Sequence, residues 1–163
     1  MLLLGAMAHP VPAPAERLPN NAWQLLAVGY PEDREVEVRL GGAEKTLIAK
    51  GRGKVRWKNG TSTVELRLED LSGPEEVGWT GRQYILWAVD HEKRIVNLGR
   101  VPLNSHEAKW RLQVPFRIFG LLVTAETDPQ AATPSVHVAL ESLLPTNPTL
   151  VVPAFRVPLA LAP

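Results

Sequence analysis

Two runs of this chain are apolar at nearly every position, and they constrain the fold more than any other feature. The first is Tyr84–Val89, which reads YILWAV, and the second is Phe119–Glu126, which reads FGLLVTAE. Successive side chains of a β-strand point to opposite faces, so a strand that is apolar at consecutive positions must be covered on both sides. We therefore expect the two runs to be central strands of a β core.

The composition favours a fold made of many short strands. The 163 residues are 45% hydrophobic and 21% charged, which is ordinary for a globular domain. Fifteen prolines and twelve glycines argue against long helices and for strands joined by turns. We expect one all-β domain, an antiparallel β-sandwich of immunoglobulin-like or Greek-key type, with about eight to ten short strands.

The sharpest local prediction is a hairpin around Asn59-Gly60. This dipeptide lies between two alternating runs and favours a two-residue type I′ turn, which needs positive φ at both positions. A turn of this length places Lys58 opposite Thr61 and Lys50 opposite Glu69. The inner face of the hairpin then carries five apolar side chains: Val55, Trp57, Val64, Leu66 and Leu68.

The outer face of the first hairpin strand carries a basic residue at every second position. We call this set the basic stripe: Lys50, Arg52, Lys54, Arg56 and Lys58. One interpretation is a solvated face with cross-strand pairs Lys54–Glu65 and Lys50–Glu69. The other is a docking surface for an acidic polysaccharide, lipid headgroups or nucleic acid. The net charge of +1 and the inward Trp57 favour the solvated face, and nucleic acid is not expected as a partner.

Alternation and turn residues place the remaining strands. They are predicted at Trp23–Val28, Glu35–Leu40, Lys45–Ala49, Arg94–Val101, Ala108–Val114 and Val136–Leu140. Hairpin turns at Asp90–Lys93 and Asn104–Glu107 should join Arg94–Val101 to its two sequence neighbours. Trp79 is expected to close over the core. The core should contain Leu26, Val36, Val38, Val55, Trp57, Val64, Leu66, Leu86, Trp87, Leu98, Trp110, Leu112, Leu121 and Val123.

The two ends of the chain differ in composition from the domain between them. Residues 1–8 read MLLLGAMA, which is typical of the end of a signal segment and predicts cleavage after Ala8 and a periplasmic or secreted protein. Residues 9–22 form a proline-rich linker, residues 23–142 the sandwich domain, and residues 143–163 a proline-rich apolar tail. The tail either adds an edge strand at Thr149–Val152 or lies extended across the surface. No transmembrane span is expected in this chain.

Residues with catalytic chemistry are present, but their spacing predicts no catalytic site. Ser105-His106-Glu107 and His91-Glu92 lie in predicted turns, where adjacent side chains point apart, and no Gly-x-Ser-x-Gly elbow accompanies them. The same-face carboxylates Glu35/Glu37 and Glu65/Glu69 alternate with basic residues, which favours neutralised surface charge. The chain contains no cysteine, and its histidines lack the paired spacing of metal ligands, so neither a metal nor a cofactor is expected.

The region 84–141 resembles the extracytoplasmic C-terminal domain of anti-sigma-K factors and related exported bacterial proteins. The resemblance rests on Tyr84–Val89, Asn97-Leu98-Gly99, Phe119–Glu126 and Pro134-Ser135. It implies a β-sandwich outside the cytoplasmic membrane with no catalytic residues. It does not imply inhibition of a sigma factor by this chain.

These observations together predict a non-enzymatic extracytoplasmic domain for interaction or sensing, with an envelope protein or a glycan as its partner. The alternative is a binding module for an anionic glycan or envelope surface that uses the basic stripe; salt should then weaken binding. A hydrolase that uses His106 or His91 is a further alternative, which requires an activity lost in His→Ala variants.

Overall fold

The computed structural model describes residues 22–146 and 152–163, and within these ranges the regular structure is β apart from two short 3-10 turns. The all-β antiparallel prediction is confirmed. The ten strands are β1 (Ala22–Gly29), β2 (Glu35–Gly42), β3 (Lys50–Lys58), β4 (Thr61–Glu69), β5 (Gln83–Asp90), β6 (Ile95–Arg100), β7 (Ala108–Val114), β8 (Ile118–Glu126), β9 (Val138–Leu143) and β10 (Ala154–Ala160). The predicted signal segment and nearly all of the predicted linker lie outside the described residues.

The strands form a single antiparallel sheet that curls into a nearly closed barrel-like shape. The pairing runs from β7 through β4, β3, β2, β9, β8 and β5 to β6. The first strand, β1, joins β8 at Val28 opposite Phe119, and its residues from Ala22 to Val28 pair with β10. The unpaired edges of the described sheet therefore belong to β7, β6 and β10.

The two strands predicted to be central, β5 and β8, are buried on both faces. One face, with Leu86 and Leu121, contributes to a large core enclosed by the curled sheet. The other face, with Trp87 and Leu122, packs into a second core together with residues of β1 and β10 such as Leu25. The β1–β10 pair is thus the outer cover that the double apolar pattern required.

The β3–β4 hairpin has the predicted register, from Lys58 opposite Thr61 to Lys50 opposite Glu69. Asn59 and Gly60 have φ values of 53° and 75°, as the tight turn requires. At Gly53 an added Cβ atom would clash with the backbone oxygen of Glu65 on the neighbouring strand, so only glycine fits there.

Lys45–Ala49 is not a strand, and that prediction was wrong. Glu44–Thr46 forms a 3-10 turn, and the buried Thr46 hydroxyl donates a hydrogen bond of 2.6 Å to the carbonyl oxygen of Ala139. This tertiary contact outweighs the weak alternation of a five-residue run. It also leaves Leu47 and Ile48 exposed at the tip of the β2–β3 connection.

The predicted hairpin between β6 and β7 was also wrong. Asn104 and Glu107 do form a tight turn with backbone hydrogen bonds of 2.7 and 3.0 Å. However, β6 pairs with β5, and β7 crosses to pair with β4 along its whole length. The β5–β6 hairpin, by contrast, forms as predicted around a buried Asp90 that binds Arg94 at 2.6 Å.

The predicted core is confirmed in its main part. Ten of the predicted side chains are buried, whereas four are partly buried and pack against the larger core: Trp57, Leu98, Trp110 and Leu112. Trp79 closes over this core, as expected, with its indole against Tyr84. In the tail, Thr149–Val151 lie outside the described residues. The edge strand found there is β10, whose Pro158 lies opposite Gln24.

Candidate functional site

The basic stripe lies on the outward face of β3, as predicted, and all five of its side chains are exposed. Each also has an acidic partner. Lys50 and Arg52 bind Glu69 at 3.8 and 3.1 Å, which confirms the predicted Lys50–Glu69 pair. Lys54 binds Glu35 at 3.5 Å and not Glu65, so the other predicted pair was wrong.

The far end of the basic stripe is held by one carboxylate. Asp33 lies 3.0 Å from Arg56 and 3.6 Å from Lys58. The hydrogen bond from Arg56, aided by the charge of Lys58, lowers the pKa of Asp33 below its usual range. Along β3, therefore, nearby acids neutralise much of the positive charge.

A second set of cations runs across the strands and is not neutralised to the same degree. We call it the basic ladder: Arg39 on β2, Arg52 on β3, Arg67 on β4 and Lys109 on β7. Each member lies directly opposite the next, since Arg39 pairs with Arg52, Arg52 with Arg67, and Arg67 with Lys109. At the usual strand spacing of about 4.8 Å, the four Cα atoms span about 14 Å.

Acidic partners of the basic ladder are few. Glu69 binds Arg52 at 3.1 Å and Arg67 at 3.0 Å, and it also binds Lys50. Arg39 donates a hydrogen bond to the backbone oxygen of Leu144. Within the described residues Lys109 has no ion pair. Like charges placed directly opposite one another destabilise a sheet, so this arrangement is unfavourable for folding alone.

A second row of side chains crosses the same four strands, displaced from the basic ladder by two residues along each strand. Its charges are mixed. This mixed row consists of Glu37, Lys54, Glu65 and Arg111, which are again directly opposite one another. Although Lys54 lies between the two glutamates, it binds Glu35. Of the four carboxylates predicted to be neutralised, Glu35 and Glu69 have ion pairs. Glu37 and Glu65 have neither an ion pair nor a hydrogen bond among the described residues.

An open groove of about 850 Å³ lies between the basic ladder and the mixed row. The strand residues between the two rows are Val38, Gly53, Leu66 and Trp110, which also line it. Six basic and two acidic side chains surround the groove. A second cavity of about 430 Å³ shares Arg67 and Lys109 with it and is otherwise lined by the start of β7 and the segment before it, including Asn104 and Glu107. The groove thus has lining residues from four strands, is charged and is accessible from solvent.

The residues behind the family resemblance form a buried hydrogen-bond network away from this groove. The indole of Trp87 donates to the hydroxyl of Thr124 at 2.8 Å, and that hydroxyl donates to Glu126 at 2.5 Å. The backbone N–H of Ser135 also donates to Glu126, at 2.9 Å. These side chains fix β5, β8 and the segment before β9 to one another, which is a structural role.

The candidate catalytic residues are not assembled into a site. His106 binds Glu76 at 2.8 Å, and the nearest polar partner of Ser105 is Asn104, so Ser105 and His106 do not pair. His91 lies at the surface, 3.6 Å from Glu92. Within the described residues no group of side chains has the arrangement of a metal site.

Another serine–histidine contact occurs at Ser135 and His137, where Oγ lies 3.2 Å from Nδ1. Ser135 is buried, and its hydroxyl also donates to the backbone oxygen of Ala125. Burial, assisted by the positive charge of Arg82, lowers the pKa of His137. A serine that solvent barely reaches is poorly placed to attack a substrate, so we assign this contact to the structural network.

No family model matches the chain, and no curated protein or solved structure matches it. In the described ranges there is no helix with the length and apolarity needed to cross a membrane. Among the described residues, the basic ladder and its groove are the strongest candidate site, because they combine closely spaced cations with an accessible cavity.

Alternation already placed Arg39, Arg67 and Lys109 on outward faces of their strands. The sequence did not reveal the register that brings them together. The ladder requires that β2 pairs with β3 and β4 with β7, and no tight turn joins either pair to set its register. Only the β3–β4 part of the ladder was fixed by a two-residue turn.

Proposed function

We propose that this protein is a non-enzymatic interaction domain that works outside the cytoplasmic membrane and binds an anionic polymer of the cell envelope. The polymer lies in the groove on the outward face of β2, β3, β4 and β7. This proposal keeps the binding function predicted for the basic stripe but moves its centre from β3 to the basic ladder.

The observation that carries the proposal is the register of the four ladder cations. Side chains of like charge repel one another across neighbouring strands, and Glu69 alone offsets this among the described acids. An anionic ligand would relieve that repulsion by lying between or over the cations. Arginine is especially suited to this role, because its planar guanidinium binds carboxylate, sulfate or phosphate groups in a two-point manner.

Two further points support the non-enzymatic part of the proposal. Among the described residues the groove lining has no histidine or serine, and its two carboxylates, Glu37 and Glu65, both lie opposite Lys54. The Ser–His contact at Ser135 and His137 is tied to a buried network. The location outside the membrane rests on the signal-like residues 1–8 and on the resemblance to anti-sigma-K C-terminal domains.

The sandwich description belongs to the same proposal. The larger core takes side chains from β2, β3, β4 and β7 and from β5 and β8. An immunoglobulin-like or Greek-key sandwich would enclose such a core between two layers, and we propose that arrangement here. In this view the binding face is the outer surface of one layer.

The proposal is tested by comparing two variants that each lose three positive charges. The ladder variant carries Arg39→Gln, Arg67→Gln and Lys109→Gln, whereas the stripe variant carries Lys50→Gln, Arg56→Gln and Lys58→Gln. Arg52, which belongs to both sets, stays in place. Binding to an immobilised acidic polysaccharide is measured at several salt concentrations.

We expect the ladder variant to bind about tenfold more weakly than the wild type at low salt, since each exposed ion pair contributes about 0.2–1 kcal/mol. The stripe variant should lose much less, because its cations already have acidic partners. Equal losses in both variants would mean that net charge alone governs binding. Absence of salt-sensitive binding by the wild type would refute the proposed function.

A further inference from the structure

We infer that the ligand is an acidic glycan that crosses the strands from β2 to β7, with its acidic groups over the basic ladder and its hydroxyl groups over the mixed row. This inference rests on the proposed function and specifies the ligand class and orientation. It starts from the chemical difference between the two walls of the groove.

The direction of the ligand follows from where charge is left uncompensated. Along β3 every second residue is basic, but Asp33, Glu35 and Glu69 lie within ion-pair distance of those side chains. Across the strands the basic ladder extends from Arg39 to Lys109, and all four of its members line the groove. A polymer laid across the strands therefore meets more uncompensated positive charge than one laid along β3.

The ligand class follows from the carboxylates of the mixed row. Glu37 and Glu65 line the groove and have no polar partner among the described residues. An ionised carboxylate only accepts hydrogen bonds, so a ligand should offer hydroxyl or amide donors on this side. An anionic group on this side would instead be repelled by both glutamates.

A polymer that suits both walls must carry acidic groups and hydroxyl donors in the same repeating unit. Polymers of uronic acids or of other acidic sugars have this chemistry. Linear polyphosphate has anionic groups on all sides and no donor for Glu37 and Glu65. The two walls are separated by two residues, about 7 Å along each strand, which leaves room for one sugar chain between them.

The test compares two probes and three forms of the protein. The probes are polygalacturonate, which has carboxylates and hydroxyls, and polyphosphate, which has anionic groups alone. The proteins are the wild type, the double variant Glu37→Gln/Glu65→Gln, and the control Glu75→Gln/Glu92→Gln. The control removes the same two charges at exposed positions that do not line the groove.

We expect the wild type to bind polygalacturonate about tenfold more tightly than polyphosphate at equal concentrations of anionic groups, because hydrogen bonds to charged groups add to the ion pairs. In Glu37→Gln/Glu65→Gln this preference should disappear, with weaker binding of polygalacturonate and tighter binding of polyphosphate. The control variant should keep the preference of the wild type.

Two results would overturn the inference and leave the proposed function intact. One is wild-type binding of polyphosphate that is as tight as its binding of polygalacturonate. The other is equal tightening toward both probes in Glu37→Gln/Glu65→Gln, which would reflect the change in net charge alone. Failure of the wild type to bind either probe would refute the proposed function itself.

Discussion

Strands β5 and β8 are covered on both faces, whereas β3 and β4 are covered on one. This difference explains how the sequences of the two pairs differ. The central strands β5 and β8 have a core on each side, and nearly all of their residues are buried. The hairpin strands β3 and β4 have a core on one side and solvent on the other. In the first pair both faces are committed to stability, whereas in the second pair one face is exposed to solvent.

The polar groups of the two regions follow the same division. In the doubly covered region the hydroxyl of Thr124 and the carboxylate of Glu126 are buried, and each is satisfied by defined hydrogen bonds. On the exposed face the carboxylates of Glu37 and Glu65 have no partner among the described residues. Buried polar groups must be satisfied within the fold, so unsatisfied ones are found where a ligand or water can reach them.

The largest expected difference between the regions is the loss of a tryptophan. Trp87→Ala should unfold the protein or lower its free energy of unfolding by about 3–5 kcal/mol, because the side chain is fully buried in the second core. Trp110→Ala, on the singly covered β7, should cost clearly less, since Trp110 is only partly buried. Chemical denaturation of both variants tests this order, and a neutral Trp87→Ala would contradict the assignment of the core.

A smaller contrast is expected for a threonine hydroxyl. Thr124→Val keeps the shape of the side chain but removes the acceptor of the Trp87 indole and a donor to Glu126. We expect a loss of roughly 1–3 kcal/mol, the usual effect of leaving a buried polar group without its partner. Thr63→Val on the outward face of β4 is the matched control and should change stability by less than about 0.5 kcal/mol. Similar effects at both positions would remove the distinction between the regions.

The smallest expected contrast is in the free energy of unfolding when the charge of one basic residue on β7 is reversed. Lys109→Glu puts a carboxylate opposite Arg67 and should raise the free energy of unfolding by about 0.2–1 kcal/mol. Arg111→Glu puts a carboxylate opposite Glu65 and should lower it by a similar amount. Denaturation midpoints at low salt measure both changes, and high salt should shrink them. A loss of stability in Lys109→Glu would show that charge repulsion within the basic ladder does not destabilise the sheet.

Sequence reasoning succeeded where local rules decide the structure. The Asn59-Gly60 turn fixed the register of β3 and β4 because a two-residue hairpin allows one pairing. The uninterrupted apolar runs in β5 and β8 required cover on both faces, and the structure provides it. Neither result depended on knowing how distant parts of the chain meet.

The failures all involve contacts between distant residues. The run Lys45–Ala49 is too short for its alternation to outweigh the hydrogen bond from Thr46 to Ala139. The pairing of β7 with β4 in preference to β6 joins segments that no tight turn connects. The same pairing places Lys109 beside Arg67. The candidate site could therefore be seen as a stripe along one strand but not as a ladder across four.

The most direct test of the basic ladder is a map of backbone amide chemical shifts in the wild-type protein during titration with a short oligogalacturonate of defined length. The account predicts shifts that center on Arg39, Arg52, Arg67 and Lys109 and their neighbours on four strands, with little change in β5. Shifts that follow β3 from Lys50 to Lys58 and leave β2 and β7 unchanged would contradict it.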